Sequence, residues 1–123
     1  MEGGGPALVL SEDEKYAYLV GLRLYEKSGE YPALHTVFRA ALQGDGTLEP
    51  FFGDPLVSGG DRDHLNEPAC LAIDAEDHLY VADRGNDRIV IVNCRTGACL
   101  GAFPVESPEW VGVHRASGAA YVY

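Results

Sequence analysis

The sequence predicts an all-β protein made of repeated units of short antiparallel strands, and three observations support this fold class. A motif of two short strands around a polar turn recurs with matched residues Tyr18, Tyr80 and Tyr121. The chain has 15 glycines and 7 prolines among 123 residues, which is typical of a fold with many turns. No segment shows a sustained helical stripe of apolar residues. A repeat of about 40 residues made of short strands indicates units that must stack to bury their faces.

The second repeat, at residues 68–104, shows the pattern most clearly. Apolar or β-branched segments alternate with polar or glycine-containing turns, and this pattern predicts four strands. Their predicted positions are 69–74, 79–82, 88–93 and 99–103. Pro104 ends the fourth strand, because proline lacks the N–H that a strand ladder needs. Four antiparallel strands in about 40 residues describe one blade of a β-propeller.

The first repeat has the same order of elements but a longer connection. Its strands are predicted near residues 7–10, 16–20, 35–42 and 48–52. The glycine-rich segment 44–46 forms the turn of its last hairpin. The additional length lies between the second and third strands, at residues 21–34, and we predict a loop insertion there.

The third repeat contains only the first two strands, so the sequence predicts two complete blades and a two-stranded half blade of a partial β-propeller. Its last strand, Ala120 to Tyr123, would be an unpaired sheet edge, which is a template for pairing with another chain. We therefore expect a homo-oligomer formed through this strand, or coverage of the edge by further blades of a longer propeller. The predicted single domain spans residues 1–123, with blade one at 6–53, an inter-blade loop at 53–67, blade two at 68–104 and the half blade at 108–123.

The charge of the chain excludes one class of partner. Nineteen acidic and nine basic side chains give a formal net charge of −10, whereas binding to nucleic acid needs clustered lysine and arginine. No apolar run approaches the roughly 20 residues that cross a bilayer. The first six residues lack the basic and apolar regions of a signal peptide. We predict neither nucleic acid nor a membrane as a partner.

The three cysteines leave the redox state open. Cys94 and Cys99 flank a predicted hairpin turn, so they either face each other as a disulfide or remain reduced thiols. Cys70 is predicted to be a small buried hydrophobic residue. The sequence contains neither a Cys-x-x-Cys motif nor a cluster of cysteine and histidine, so it predicts no zinc site.

One position at the entry to the first turn recurs in all three repeats. Ser11, Asp74 and His114 occupy it. Side chains at such positions commonly accept hydrogen bonds from the backbone of the turn that follows. We predict that all three side chains cap their turns, and this interpretation makes His114 a structural residue.

The second repeat resembles the repeats of NHL-type β-propellers, in which a proline precedes an apolar strand, a turn, a Tyr-Val-Ala-Asp segment and an Asn-x-Arg-Ile segment. The matching residues are Pro68, Leu71, Ile73, Asp74, Tyr80, Val81, Ala82, Asp83, Asn86, Arg88 and Ile89. The resemblance is weaker over the rest of the chain. The glycine that follows the proline in the family is replaced by Cys70 here and by Trp110 in the half repeat. The long loop of the first repeat replaces the Asp-x-x-Asn-x-Arg run.

This resemblance implies a non-catalytic scaffold or binding module for a protein or a small-molecule ligand. Gluconolactonase-like propellers resemble the repeats in general form and imply an alternative, a metal-dependent hydrolase or a lyase. Their divalent ion would be calcium or magnesium, for which oxygen ligands are suited. Asp61, Asp63, Asn66 and Glu67 supply oxygen atoms, but no matching aspartate follows Pro68. We therefore predict no cofactor, no metal ligands and no catalytic residues.

Asp83 and Arg88 flank the turn between the second and third strands of blade two. A carboxylate and a guanidinium at these positions can form a charge-assisted pair across the hairpin. The resemblance implies that the pair is a structural brace.

The binding residues are predicted on one face of the blades. Connections between strands two and three, and from one blade to the next, lie on the same side of a propeller. This topology brings the loops at 21–34 and 53–67 together near residues 83–87. Loops on a rigid scaffold commonly carry binding residues. The candidates are Arg23, Tyr25, Tyr31, Asp61, Arg62, Asp63 and His64.

Overall fold

The computed structural model describes residues 7–23, 33–114 and 117–122. Within these residues the strands are β1 (Ala7–Leu10), β2 (Tyr16–Val20), β3 (Thr36–Ala41), β4 (Glu49–Gly53), β5 (Pro68–Ile73), β6 (His78–Asp83), β7 (Arg88–Asn93), β8 (Cys99–Pro104), β9 (Val111–Val113) and β10 (Ala120–Val122). A single 3-10 turn at Arg84–Asn86 is the helical element found there. None of the described residues belongs to a helix long and apolar enough to cross a membrane.

The strands form three antiparallel sheets in chain order. Strands β1 to β4 form the first sheet, which we call blade one, and β5 to β8 form the second, blade two. Strands β9 and β10 pair as a two-stranded sheet, the half blade. This arrangement confirms the predicted fold class, and the strands of both complete blades lie within one residue of their predicted bounds. The assignment of the three sheets to one domain stays a prediction.

The matched tyrosines occupy the same place in each sheet. Tyr18 lies opposite Val9, Tyr80 opposite Ala72, and Tyr121 opposite Gly112 in the innermost strand pair. Residues directly opposite each other in an antiparallel pair point to the same face. Each sheet therefore has a front face, defined as the one that carries its matched tyrosine, and a back face on the other side.

The main core lies between the front of blade one and the back of blade two. Tyr18, which is 1% exposed, packs there with aliphatic side chains of blade two. Leu71, Val81 and Val90 form one continuous row across three strands of that back face. Each fully buried side chain of this kind contributes about 1.5–3 kcal/mol to folding. Apolar packing therefore joins the two blades face to face.

A second, smaller core lies between blade two and the half blade. Ala82 and Ile89 are fully buried on the front of blade two, and Val111 of the half blade packs against them. Val113 and Val122 complete the back face of the half blade. The same front-to-back contact therefore occurs at both junctions between sheets.

The predicted turn caps are present in all three repeats. The Ser11 hydroxyl oxygen accepts a hydrogen bond of 3.1 Å from the backbone N–H of Tyr16. A carboxylate oxygen of Asp74 accepts one of 2.9 Å from the N–H of His78. His114 Nδ1 accepts a 3.3 Å hydrogen bond from a backbone N–H of its own turn. His114 thus stabilises a turn, which confirms the prediction.

All three cysteines are free thiols, and the geometry of the hairpin explains why no disulfide forms. Cys99 lies opposite Val92 in the register of β7 and β8, and Cys94 lies beyond the end of β7. The Cys94 side chain is buried in the main core. Cys70 was predicted to be buried, but it is only half-buried, because it packs at the margin of the second core.

Candidate functional site

The loop from residue 54 to residue 67 lies along the edge of the blades that carries the turn from Asp83 to Arg88, which we call the upper edge. Arg88 Nε donates a 2.8 Å hydrogen bond to Asp83, whose carboxylate is fully buried. The terminal nitrogens of Arg88 donate to the backbone carbonyls of Gly60, Asp61 and His64 at 3.0, 2.9 and 2.7 Å. Four of the five guanidinium N–H groups are therefore used, one within blade two and three to hold the loop on it.

The buried carboxylate of Asp83 is the second centre of this network. Its Oδ1 accepts a 2.7 Å hydrogen bond from the backbone N–H of Asn66. Its Oδ2 accepts a further bond of 2.8 Å from the side-chain amide of Asn86, which also donates to the Gly59 carbonyl at 2.7 Å. Because each oxygen of the carboxylate has a donor, its charge is compensated without water. Sequence analysis found the charge pair but not the loop carbonyls that it holds.

Two predicted binding residues, Asp61 and His64, form an exposed pair on this loop. His64 Nδ1 lies 2.7 Å from Asp61 Oδ1. This hydrogen bond raises the pKa of the imidazole and lowers the pKa of the carboxyl, because each group stabilises the charged form of the other. The pair thus fixes the orientation of both side chains at the surface.

We predict that Asp61→Asn will lower the pKa of His64 toward its ordinary value of about 6.5. Because the pKa of His64 is raised in the folded state, the pair makes its full contribution to stability below about pH 6.5. This contribution is lost as the pH rises through the pKa of His64 in the folded protein. NMR titration of the imidazole measures the effect. Asp63→Asn, next to the pair, is the matched control and should change the pKa of His64 less. Equal pKa values in the parent protein and in Asp61→Asn would contradict the pairing.

The other predicted binding residues are distributed differently. Arg62 is exposed and its guanidinium donates a 2.8 Å hydrogen bond to the Cys99 carbonyl, and Asp63 has an exposed side chain. Arg23 is exposed as well, but it lines a separate cleft of about 20 Å³ with Glu67 and Arg84. The structure therefore brings residues 61–64 together on one rigid loop and places Arg23 apart from them. Tyr25 and Tyr31 lie outside the described residues.

A cavity that was not predicted from the sequence lies at the opposite edge of the blades, which we call the lower edge. Strand β6 runs from His78 to Asp83, so Asp77 lies at the lower edge. A cavity of about 340 Å³ opens there between blade one and blade two. Its lining residues are Ser11, Asp13, Tyr16, Tyr18, Arg39, Asp77, Cys94 and Arg95.

Arg39 holds a fixed position in this lower-edge cavity. Its guanidinium carbon lies 4.6 Å from the centre of the Tyr16 ring and 4.8 Å from the centre of the Phe51 ring. Both distances are within the range of cation–π attraction. The two rings therefore hold a cation at the wall of the cavity.

The inner part of the lower-edge cavity is uncharged at neutral pH. Burial raises the pKa of the Tyr18 hydroxyl, and the neighbouring Cys94 raises it further, although Arg39 acts in the opposite direction. Burial also raises the pKa of the Cys94 thiol to about 11. Since the thiolate is the reactive form of cysteine, Cys94 is an inert thiol at this site.

A third cavity, of about 550 Å³, lies along the inner strands β1, β5 and β9, where the axis of a propeller would run. Its lining includes apolar strand residues such as Leu10, Leu71 and Val111 together with Glu12 and Glu14, and most of its lining surface is polar. In the parts of the chain that the structure describes, no three His, Cys, Asp or Glu side chains converge closely enough to hold a metal ion.

Comparisons with known proteins bear on the repeat and on the fold. Residues 65–92 match the NHL repeat family. That segment contains strands β5 and β6, most of β7, and the whole Asp83–Arg88 turn. No curated protein matches the chain.

Several solved structures superpose on nearly the whole chain. Kuenenia stuttgartiensis hydrazine synthase matches with a TM-score of 0.63 and 16% identity, over 99% of this chain and 46% of that one. The structure of U3-55K matches with a TM-score of 0.63 and 16% identity, and the WD40 repeats of RRP9 with 0.63 and 15%. These two matches each cover 99% of this chain and 33% of the other. The chain thus spans between a third and a half of the length of these structures, and the likeness shows the fold.

Proposed function

Because the chain carries an NHL repeat within the blades of a β-propeller, we propose that it is a non-catalytic scaffold or binding module that works as part of a larger ring of blades. The observation that carries this proposal is that, within residues 7–23, 33–114 and 117–122, the apolar face at each end of the stack of sheets is uncovered. Such faces are buried where two blades of this chain meet, and leaving them in water has a free-energy cost.

The first uncovered face is the back of blade one. Ala7 and Val9 of β1 pack toward the main core, so Leu8 and Leu10, which alternate with them, point to the opposite side. Leu8 is 58% exposed, and it lies in one row with Leu19 and Phe38. This row corresponds to the row of Leu71, Val81 and Val90 that blade two buries against blade one.

The second uncovered face is the front of the half blade. Tyr121 is 57% exposed and lies opposite Gly112. The Trp110 ring lies over Gly112 and leaves no room for a Cβ atom at that position. The front of the half blade therefore presents two aromatic side chains, as the front of blade one presents Tyr18 and Phe51.

One uncovered face is an aliphatic back and the other is a tyrosine-bearing front, which are the two kinds of face that pack together inside the chain. Within the chain, a tyrosine-bearing front packs on an aliphatic back, and we propose the same contact between the half blade of one copy and blade one of another. In the described residues β10 pairs with β9 alone, whereas β2 and β6 have a partner on each side. We propose that strand β10, Ala120–Val122, adds hydrogen bonds to this association, since an open edge favours strand addition. Tyr123, which was predicted to end this strand, lies outside the described residues. A head-to-tail contact of this type generates a ring if it closes.

A test of the face contact compares two leucines of similar exposure. Leu8→Glu places a charge on the back of blade one and should reduce association, because a charge at an apolar interface is costly to desolvate. Leu56→Glu is the matched control: Leu56 is 73% exposed on the upper-edge loop, and its replacement should leave association unchanged. Sedimentation velocity of both variants at matched concentrations measures the difference. Association that is unaffected by Leu8→Glu would refute this contact.

The binding surface that we propose for a protein or small-molecule ligand is the upper-edge loop. Arg88 and Asp83 fix its backbone, and a loop that is ordered before binding loses little conformational entropy on binding. Asp61, Arg62, Asp63 and His64 then present charges of both signs at the surface. Arg23 belongs to the separate cleft that it lines with Arg84 and Glu67. An ordinary pKa of His64 in the intact protein would contradict this ordered arrangement.

A further inference from the structure

The lower-edge cavity has features of a small-molecule site that are independent of the proposed assembly of blades. We propose that it binds a small zwitterion of the amino acid class, with the ligand carboxylate on Arg39 and the ligand ammonium group toward Asp13 and Asp77.

Arg39 is held in place by aromatic rings and not by a carboxylate. The Tyr16 and Phe51 rings contact the guanidinium, and in the described parts of the chain no Asp or Glu oxygen lies within 4.0 Å of it. By contrast, Arg88 donates four hydrogen bonds. Arg39 also interacts with the Tyr18 hydroxyl, which uses at most one of its five N–H groups. A planar guanidinium held in this way is suited to binding a carboxylate through two further hydrogen bonds.

Two carboxylates, those of Asp13 and Asp77, line the same cavity. Hydrogen bonds from the Ser11 hydroxyl and from the backbone N–H of Lys15 lower the pKa of Asp13, so its carboxyl is ionised at neutral pH. Asp77 Oδ2 lies 3.6 Å from Arg95 Nε, which is longer than a charge-assisted hydrogen bond. The Arg95 side chain is 75% exposed. Asp77 is therefore only loosely paired, and a ligand ammonium group can approach it.

The size and the charges of the lower-edge cavity suit a small zwitterion. A volume of about 340 Å³ lies at the lower end of the range for small-molecule sites. Two carboxylates and two guanidinium groups line the cavity, so its charges are balanced, and the net charge of −10 opposes a multiply charged anion such as phosphate. The neutral Tyr18 hydroxyl can hydrogen-bond to either end of a ligand. A ligand with one negative and one positive group can therefore contact Arg39 and an aspartate of the cavity at the same time.

The test is an NMR titration of the whole chain with glycine, L-alanine and L-glutamine in turn, and with sodium acetate and sodium phosphate as comparison probes. We expect saturable shifts of the Arg39 Nε–H and Tyr16 signals with at least one amino acid, weaker binding of acetate and no saturable binding of phosphate. Arg39→Gln should raise the dissociation constant about tenfold or more, because a hydrogen-bonded charge is removed. Arg84→Gln, at the upper edge, is the matched control and should leave the constant unchanged.

A second variant keeps the proposal testable if Arg39→Gln is unstable. Asp77 has a positive φ of 61°, a conformation that asparagine tolerates well, so Asp77→Asn should preserve the turn. This variant should weaken binding of the amino acid about tenfold while leaving binding of acetate unchanged. The proposal is overturned if none of the amino acids binds saturably, if phosphate binds more tightly than they do, or if Asp77→Asn leaves amino acid binding unchanged.

Discussion

Replacement of Arg88 by alanine is expected to lower the free energy of unfolding by about 3–5 kcal/mol. The substitution removes four hydrogen bonds and leaves the fully buried carboxylate of Asp83 without its counter-charge. It also leaves the carbonyls of Gly60, Asp61 and His64 without their donor. Loss of one partner of a buried ion pair costs more than loss of an exposed pair, because the remaining charge stays desolvated.

Thermal and urea unfolding at a fixed protein concentration measure this loss, since association itself stabilises the folded state. A decrease in melting temperature of about 10 °C or more is expected for a chain of this size. Arg62→Ala is the matched control on the same loop, because Arg62 is exposed and donates one hydrogen bond, to the Cys99 carbonyl. Its expected cost is about 1 kcal/mol or less. Equal melting temperatures for Arg88→Ala and the parent protein would count against the brace.

The second large effect is expected at Gly53, where β4 ends. Gly53 has a φ of +89°, and a Cβ atom there would lie 2.6 Å from the backbone oxygen of His35. Gly53→Ala therefore combines an unfavourable backbone conformation with a collision against main chain that cannot move independently. We expect a loss of about 2 kcal/mol or more in the free energy of unfolding.

Gly46→Ala separates the two causes. Gly46 has a φ of +78°, and a Cβ atom added there would meet nothing within 4 Å. It should therefore show only the conformational cost, about 1 kcal/mol. Urea unfolding of the two variants side by side gives the cost of the collision as their difference. If Gly53→Ala and Gly46→Ala lose the same free energy, the close approach of His35 has no energetic role.

The strands and turn caps could be predicted because their signals are local. Ser11 and Asp74 cap turns that begin within a few residues of them, and β7 was visible as a run of β-branched residues. The pair of Asp83 and Arg88 was visible for the same reason, since the two residues flank one short turn. The carbonyls held by Arg88 could not be predicted, because every residue has a backbone carbonyl and the sequence does not show which of them a side chain will contact.

The lower-edge cavity could not be predicted because it depends on contacts between distant segments. Arg39 meets Tyr16 and Phe51 only through the registers of β2, β3 and β4. The other wall comes from the turn of blade two, where Asp77 lies against the backbone of Glu12 at 3.5 Å. Nothing in the sequence near Arg39 sets it apart from a solvated surface arginine.

We propose that other copies of the chain complete the uncovered blade faces. Light scattering coupled to size-exclusion chromatography measures this most directly, over a range of protein concentrations. We expect a molar mass of at least two chains of 13.2 kDa each, and a lower molar mass for the Leu8→Glu variant. A mass of 13.2 kDa at all concentrations, from a protein that remains folded and soluble, would contradict it.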